Sequence, residues 1–346
     1  MPHDKVREGW GHGGPGSDAP EGAPLHDIVV SIINFRTPEM TITCVDSVLA
    51  ALEGVNGHIA LVDNFSNDGS AETLRAYVDG LGEGAPVTLV ESPVNTGFSG
   101  GHNIGMRAAR GRFYLIFNSD AELRPGAPQA LLARAVAEPD AGLIGSRLEY
   151  ETGEVQVSCF RFPTVWTELA QTSALPPVSR LLRRHFTGLS MPPDPAEIEW
   201  MSFASILLRA EMVEAIGMMD EGFFMYSEDA EYTWRARRAG WRVVYEPAAR
   251  AVHHRGGSSD VKSSTAAHKR VPAYFYASRT RLLRILHGPA GPTLANLGWH
   301  LGRALSLLRP LMGKPRPRVP DGRARDIWIN VLDPYGDRRH PEGPGR

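Results

Sequence analysis

Polar side chains follow two short apolar runs near the start of the sequence, where a strand would end and a ligand could bind. Asn34 and Arg36 come just after VVSII, and Asp63 and Asn64 come just after HIALV. A carboxylate in such a place can accept a hydrogen bond from the N3–H of a pyrimidine, so Asp63 is a candidate for base recognition. Because Asp, Asn, Ser and Gly also form turns and helix caps, residues 66–70 have that simpler explanation as well.

A glycine-rich stretch, VNTGFSGGHNIG, follows the next apolar run and leads into a helical pattern. Backbone amides and the dipole at the start of a helix favour a diphosphate group, and the candidate contacts in this stretch are Asn95, Gly97 and Asn103. The spacing matches neither the Walker motif nor G-x-G-x-x-G, which argues against a P-loop nucleotide hydrolase.

The apolar run FYLIF ends in Asn118, Ser119 and Asp120. Burying a carboxylate at the end of such a strand costs free energy unless a cation or a hydrogen-bond donor balances its charge. Mg²⁺ and Mn²⁺ both accept oxygen ligands, and a diphosphate supplies further oxygens, so the sequence predicts Asp120 as a metal ligand. The alternative is that Asp120 only caps a following turn.

The elements that must position these side chains form an alternating pattern. The predicted strands cover 28–33, 58–62, 87–91 and 113–117, and the predicted helices cover 38–52, 70–78 and 103–109. This βαβα order predicts an α/β fold with a Rossmann-like, mostly parallel sheet and helices on both faces, whose ligands bind beyond the carboxyl ends of the strands. After an irregular, proline-rich excursion at 160–199, the pattern resumes with a strand at 200–208, helices at 209–216 and 229–239, and a strand at 242–245.

Composition limits the class of protein. The 346 residues carry a net charge of −2, which gives no indication of nucleic-acid binding. Cys44 and Cys159 lack the spacing of a disulfide framework or a zinc site and favour a reducing, cytoplasmic location. No apolar run reaches the roughly 18 residues that a membrane span needs. Residues 1–26 lack the pattern of a secretory signal, and their glycine and proline content predicts a disordered tail.

The last third of the chain is basic and helical. Within 293–318, apolar residues recur at helical spacing between basic ones: Leu294, Leu297, Leu301, Leu305, Leu308 and Met312. Such a helix can lie on an anionic membrane surface, here the inner face of the cell membrane. The alternative is a helix that packs on the main domain and has a solvated basic edge. Residues 321–346 are predicted to form a second tail, and its last part, YGDRRHPEGPGR, is predicted to be disordered.

Five motifs occur in order: VDNFSNDGS, NTGFSGGHN, NSDAEL, MDEGFFMYSEDAEYTWRARRAGWRVVYEP and AVHHRGGSS. Together they resemble the family 2 glycosyltransferases of the bacterial rhamnosyltransferase-like branch. The resemblance implies the GT-A fold and an inverting hexosyl transfer from a dTDP- or UDP-sugar, such as dTDP-rhamnose, to a glycan or lipid-linked acceptor in cell-wall or polysaccharide biosynthesis. It implies a catalytic domain at 27–260, with a nucleotide-binding half at 27–120 and an acceptor half at 121–260, followed by a basic helical region at 261–320.

The same resemblance assigns a metal site. It places Asn118, Ser119 and Asp120 at the family's D-x-D motif, of which only the final carboxylate is kept here, and it implies Mg²⁺ or Mn²⁺ as cofactor. In AVHHRGGSS the alignment with H-x-x-x-x-S selects His253, with Ser258 as the serine. Its imidazole is then a further metal ligand near the diphosphate.

Asp229 stands where the family has its general base. An inverting transfer needs one carboxylate to take the proton of the acceptor hydroxyl during in-line attack, and no acid at the leaving group, because the metal stabilises the departing diphosphate. The adjacent Glu228 would bind an acceptor hydroxyl or shape the pocket. Two positions depart from the branch's pattern: Glu231 replaces an aspartate, and Phe203 replaces the glycine of W-x-S-G-A, which predicts a bulky ring on the acceptor or sugar side of the pocket.

Two other functions share some of these features. A nucleotidyltransferase also combines an α/β sheet, a metal-binding carboxylate and a nucleotide, but it needs a lysine-bearing phosphate loop where this sequence has NFRT. A non-catalytic protein that binds or scaffolds sugar nucleotides has no need of a base, whereas Asp63, Asp120, Asp229 and His253 occur together here. A glycosyltransferase is therefore the leading hypothesis.

Overall fold

The computed structural model describes residues 13–254 and 260–341. Within these residues the strands are β1 (Leu25–Asn34), β2 (Gly57–Asp63), β3 (Val87–Glu91), β4 (Arg110–Asn118), β5 (Ala121–Leu123), β6 (Ala141–Glu149), β7 (Cys159–Phe160), β8 (Trp200–Met201), β9 (Ser205–Arg209) and β10 (Arg242–His253). The helices are α1 (Pro38–Ala51), α2 (Ser70–Gly80), α3 (Gly97–Ala108), α4 (Ala127–Ala137), α5 (Val165–Ser173), α6 (Pro176–Leu181), α7 (Ala210–Ile216), α8 (Glu228–Arg238), α9 (Asp260–Ala266), α10 (Ala273–His287), α11 (Gly291–Leu305) and α12 (Arg323–Asp326).

Eight strands form one mixed sheet in the order β3–β2–β1–β4–β9–β6–β10–β5, and β7 pairs separately with β8. The first four strands in that order are parallel, so their carboxyl ends lie at one edge of the sheet. Asn34 lies beside Asp63 there, and Ile33 lies beside Asn118. The continuous apolar runs of β1, β2 and β4 are buried, as parallel strands covered on both faces require. The α/β class predicted from the sequence is confirmed.

The other four strands of the sheet place the end of β10, which comes late in the sequence, at the same edge as the carboxyl ends of the first four. Strand β9 is antiparallel to both β4 and β6, whereas β10 is parallel to β6 and antiparallel to β5. The short strand β5 begins directly after Asp120, and its Ala121 pairs with His253 at the end of β10. This pairing brings His253 next to Asp120.

Helix α3 begins at Gly97, six residues before the predicted start. The glycines that suggested a loop are instead needed for close packing of the helix on the sheet. A Cβ at Gly105 would lie 2.2 Å from Ser31 Oγ, and one at Gly101 would lie 2.7 Å from Ile33 Cδ1. The helix can therefore approach β1 closely only because these positions carry no side chain.

The ends of the described chain differ from the predicted tails. Residues 13–24 form turns against the end of α3, where Arg107 Nε lies 3.1 Å from Asp18 Oδ2. Near the other end, Ile327 is fully buried, and His340 Nε2 lies 3.0 Å from Asn95 O. Glycine and proline indicated segments without a core of their own, but these segments pack onto the core of the domain. Residues 1–12 and 342–346 of the predicted tails lie outside the described residues.

Helix α11 packs on α5 through small residues and turns its leucines outward. A Cβ at Gly302 would lie 2.1 Å from Thr172 Oγ1, and one at Gly298 would lie 3.0 Å from Val165 O, so glycine allows the two helices to touch. The buried side of α11 also carries Trp299. Across residues 13–254 and 260–341, no helix combines the length and the apolar character needed to cross a membrane.

Candidate active site

The carboxylate of Asp63 is held at the end of β2 by a network of hydrogen bonds. Its Oδ1 accepts from Asn34 Nδ2 at 2.7 Å and from Ser66 Oγ at 2.6 Å, and its Oδ2 accepts from Ser66 N at 3.1 Å. Asn34 Oδ1 in turn accepts from Thr41 Oγ1 at 2.9 Å. The exposed Arg36 joins the same turn, since its Nε donates to Ser66 O at 3.0 Å. Asn34 is therefore buried behind Asp63 and orients its carboxylate.

The loop before α3 is tied to the end of β2 by Asn64. The Nδ2 of Asn64 donates to Asn95 Oδ1 at 3.2 Å and to Gly97 O at 3.0 Å. The Gly97 N–H donates to Asn95 Oδ1 at 3.0 Å, and the Phe98 N–H donates to Phe224 O at 2.7 Å. These first two amides of α3 bind protein oxygens, which differs from the expectation that the start of the helix offers free amides to a diphosphate.

Two further contacts fasten α3 to the segment that precedes α8. A Cβ at Gly97, whose φ is +75°, would lie 2.2 Å from Phe224 O, so only glycine permits this approach. Asn103 Nδ2 donates at 2.9 Å both to Met219 O and to Glu221 Oε1, and Asn103 Oδ1 accepts from Met219 N at 3.0 Å. We call these contacts of Gly97 and Asn103 with residues 219–224 the interloop clamp. Asn103, a predicted donor contact, is buried inside it.

A cavity of about 250 Å³ opens at the carboxyl ends of β1 and β4. Its lining includes five residues that are predicted from the sequence to contact the donor: Asn64, Asn95, Gly97, Asn118 and Ser119. The rest of its wall is mostly apolar or aromatic: Ile33, Phe35, Phe98, His102, Phe117, Phe224, Met225, Pro272, Tyr274 and Pro341. A concave, largely apolar wall with a few amide groups is typical of a site for a small organic ligand.

Two residues of the lining, His102 and Pro341, were not predicted from the sequence. His102 is buried at the cavity, its Nδ1 lies 2.8 Å from Ser31 Oγ, and burial lowers its pKa to about 3, so its ring is neutral. The presence of a histidine within the glycine-rich stretch is the sequence feature that could have indicated His102. Pro341 reaches the cavity from the far end of the chain, where Arg338 Nη1 donates to Thr96 O at 3.2 Å. No motif marks that segment.

Asp120 and His253 face each other at the edge of the sheet. Both are at least 95% buried, and His253 Nε2 lies 3.3 Å from Asp120 Oδ1 and 3.4 Å from Asn118 Nδ2. The backbone reinforces the pairing, because the His254 N–H donates to Asp120 O at 2.9 Å. A carboxylate oxygen and an imidazole nitrogen that converge in this way fit a cation such as Mn²⁺. Ser258, the serine of the predicted motif, lies outside the described residues.

Glu228 and Asp229 begin α8, directly after two residues, Tyr226 and Ser227, whose φ values of 69° and 72° are left-handed. Burial raises the pKa of Asp229 to about 7, and Asp229 Oδ1 accepts from Ala230 N at 2.8 Å. Burial also raises the pKa of Glu228 well above its ordinary value, and the neighbouring Asp229 carboxylate adds to this effect. Both carboxyl groups of this adjacent pair therefore hold a proton more readily than an exposed acid does, an arrangement suited to acid–base chemistry.

The two departures from the family pattern both lie in the protein core. The ring of Phe203 is 2% exposed and packs edge-to-face on Tyr232, with ring centroids 6.1 Å apart. Glu231 forms a two-point ion pair with Arg235, with N–O distances of 3.0 and 3.1 Å, and Arg235 also donates to Ile216 O. The predicted bulky ring is thus directed into the core.

Relatives confirm the glycosyltransferase interpretation. Residues 28–187 match the family model described as glycosyl transferase family 2. The N-acetylglucosaminyl-diphospho-decaprenol L-rhamnosyltransferase of Mycobacterium tuberculosis is 27% identical over 280 residues, which cover 73% of this chain and 82% of that protein. The O-antigen biosynthesis protein RfbC of Myxococcus xanthus is 26% identical over 68% of this chain, but this covers only 18% of RfbC.

Solved structures of transferases share the fold. GalNAc-T7, crystallised with UDP, GalNAc and Mn²⁺, superposes with a TM-score of 0.52 at 17% identity over 75% of this chain and 49% of that chain. The mannosyltransferase PcManGT of Pyrobaculum calidifontis, in complex with GDP-Man and Mn²⁺, gives a TM-score of 0.50 at 14% identity over 90% of this chain and 81% of that chain. The predicted GT-A fold is confirmed. The chain is therefore a glycosyltransferase that carries a family 2 domain, as its five motifs predict.

Proposed function

We propose that the protein is an inverting, metal-dependent transferase that moves a hexosyl group from a nucleoside-diphosphate sugar to an acceptor hydroxyl. The observation that carries this proposal is the convergence of Asp120 and His253 beside the cavity. Asn118 and Ser119, which directly precede Asp120, line that cavity. A nucleotide bound there would bring its diphosphate to the carboxylate and the imidazole.

The chemistry assigned to each residue follows from its surroundings. Asp120 and His253 would hold Mg²⁺ or Mn²⁺, whose charge stabilises a departing diphosphate. Asp229 would accept the proton of the acceptor hydroxyl while that oxygen attacks the anomeric carbon on the face opposite the diphosphate, which inverts the configuration. A pKa near 7 lets Asp229 take up the proton and release it again at neutral pH. Glu228, next to it, would hold a hydroxyl group of the acceptor by a hydrogen bond.

For the substrates, we propose rhamnose from dTDP-rhamnose as donor and a polyprenyl-diphosphate-linked sugar as acceptor. The mycobacterial relative, whose name gives both a rhamnosyl transfer and such an acceptor, supports this choice. The test is nucleotide release from dTDP-, UDP- and GDP-sugars with Mn²⁺ and polyprenyl-diphosphate N-acetylglucosamine. We expect dTDP-rhamnose to be the fastest donor, with release that requires the acceptor. Faster transfer from a UDP- or GDP-sugar would contradict the proposed donor.

We also propose that the enzyme reaches a lipid-linked acceptor by docking α11 on an anionic membrane. Three leucines on its outward side are each about half exposed: Leu294, Leu297 and Leu301, with exposed fractions of 50%, 53% and 51%. The following turn, residues 306–312, adds Leu311 at 85%. We call these four residues the leucine face. The basic residues that follow it, Lys314, Arg316 and Arg318, are exposed. Charge and apolar area together suit an anionic lipid surface.

We expect substitution of two exposed leucines, Leu297→Gln with Leu301→Gln, to weaken binding to phosphatidylglycerol vesicles about tenfold, because each leucine loses apolar burial in the bilayer. Each basic residue near the surface adds on the order of 1 kcal/mol, so the binding should fall as salt rises. Vesicle co-sedimentation measures both effects. Val136→Gln, a matched change at an exposed residue of α4, should leave binding unchanged. Equal binding of the leucine variant and the unsubstituted protein would contradict the docking proposal.

A further inference from the structure

Gln156 lies behind His253, on the side of the imidazole ring that faces away from Asp120. The residue follows the turn after β6, and its backbone N–H donates to Leu148 O at 2.8 Å. Its side chain is fully buried, although a glutamine side chain is polar and flexible. A polar group is stable in such a place when its hydrogen bonds are made by the protein.

The hydrogen bonds of Gln156 determine which way its amide group points. Its Nε2 lies 2.9 Å from Glu149 O and 2.6 Å from His253 O. Both partners are backbone carbonyl oxygens, which only accept, so the amide nitrogen must be the atom that faces them. The amide oxygen, Oε1, consequently faces His253 Nδ1 at 3.3 Å.

This orientation decides which ring nitrogen of His253 carries a proton. An amide oxygen only accepts, so a hydrogen bond with Gln156 requires a proton on Nδ1. In a neutral ring the lone pair then belongs to Nε2, the nitrogen that lies 3.3 Å from Asp120 Oδ1. Histidines that bind metals commonly donate their other ring N–H to an oxygen acceptor, which fixes both the tautomer and the ring orientation.

We propose that Gln156 is a positioning residue, which holds His253 with its proton on Nδ1 and so presents Nε2 to the divalent cation shared with Asp120. The inference rests on the proposed metal-dependent function. Gln156 binds the ring and the backbone carbonyl of the same histidine, so it restrains both the side chain and the backbone of His253. Without it, the ring is free to rotate, and the Asp120 carboxylate favours a proton on Nε2, where it competes with the metal.

The test is Mn²⁺ binding to the protein saturated with dTDP, measured by titration calorimetry in the absence of any sugar donor. We expect Gln156→Leu to lower the Mn²⁺ affinity roughly 10- to 100-fold, the usual effect of losing the partner of a metal-binding histidine. Affinity for dTDP without metal should stay unchanged, which reports that the variant is folded.

A double-mutant cycle separates positioning from a general structural effect. In a His253→Ala background, Gln156→Leu should cause no further loss of Mn²⁺ affinity, since its effect passes through the imidazole. The matched control is Gln129→Leu on α4. The Nε2 of Gln129 also donates to two backbone carbonyls, Ala51 O and Glu53 O. This variant should leave the affinity unchanged. If Gln156→Leu does not fold, Gln156→Met replaces it in the same cycle.

Two outcomes would overturn different claims. An equal loss from Gln156→Leu with and without His253, or no loss at all, would contradict the positioning role. If the unsubstituted protein shows no Mn²⁺ binding in its complex with dTDP or in the matching complexes with UDP and GDP, the proposed metal-dependent function itself is wrong.

Discussion

Asp229→Asn should bind donor normally but transfer sugar at least roughly 10²-fold more slowly, because asparagine keeps the shape of the side chain and loses its ability to accept a proton. The pH profile should identify the residue as well. Burial raises the pKa of Asp229 to about 7, so the carboxylate is protonated below that pH and the rate should fall as the pH falls. In the variant nothing titrates at this position, so the low residual rate should lose this acid limb. Initial rates across the pH range measure both effects.

Glu228→Gln is the matched control for that experiment. Burial raises the pKa of Glu228 well above its ordinary value, and one of its oxygens, Oε2, is buried with no hydrogen-bond partner among the described residues. Burial, not the charge of Glu228, is the main cause of the raised pKa of Asp229, so this variant should keep its acid limb near pH 7. Full activity of Asp229→Asn would refute the assignment of the base. Failure of that variant to bind donor would point to a structural role for Asp229 instead.

Asp120→Ala should abolish the metal dependence of nucleotide binding and lower the transfer rate roughly 10²-fold or more, since the cation would lose its only predicted carboxylate ligand from the protein. Calorimetry with dTDP, with and without Mn²⁺, measures the first effect directly. In the unsubstituted protein Mn²⁺ should tighten binding of dTDP, whereas in the variant the two affinities should be equal.

Glu122→Gln provides a control from the same strand. Glu122 lies two residues from Asp120, but its side chain is more exposed than that of Asp120. Its Oε1 lies 2.8 Å from His254 Nε2. This variant should keep the response to Mn²⁺. A variant Asp120→Ala that still binds dTDP more tightly with Mn²⁺ would remove Asp120 from the metal site.

The sequence predicted the first half of the sheet well, because its strands are continuous apolar runs that end in turn-forming residues. The predicted strand 87–91 and β3 have the same bounds, and α1 differs from its prediction by one residue. The pattern did not reveal α4 or β6. The glycines of α3 predicted a loop, because single-sequence propensity counts a glycine as flexible and cannot see the sheet that it packs against.

The candidate site was predicted less completely than the fold. The motifs located the residues at the ends of β1, β2 and β4, and the structure brings several of them to one cavity. They did not distinguish Asn64, which lines the cavity, from Asn34 and Asn103, which are buried in hydrogen bonds to the protein. That distinction depends on partners distant in sequence, such as Met219 for Asn103. Gln156 was not predicted for the same reason, because its partner His253 is distant in sequence.

The interloop clamp restricts how this enzyme can be recombined with its relatives. Gly97 fits against the carbonyl of Phe224 with no room for a methyl group, and Asn103 binds both Met219 and Glu221. Chimeras that exchange residues 27–120 alone, the predicted nucleotide-binding half, would pair a foreign α3 with the native segment 219–224. Successful hybrids should therefore inherit α3 and that segment from one parent, so that the smallest exchangeable unit extends from α3 to residue 224.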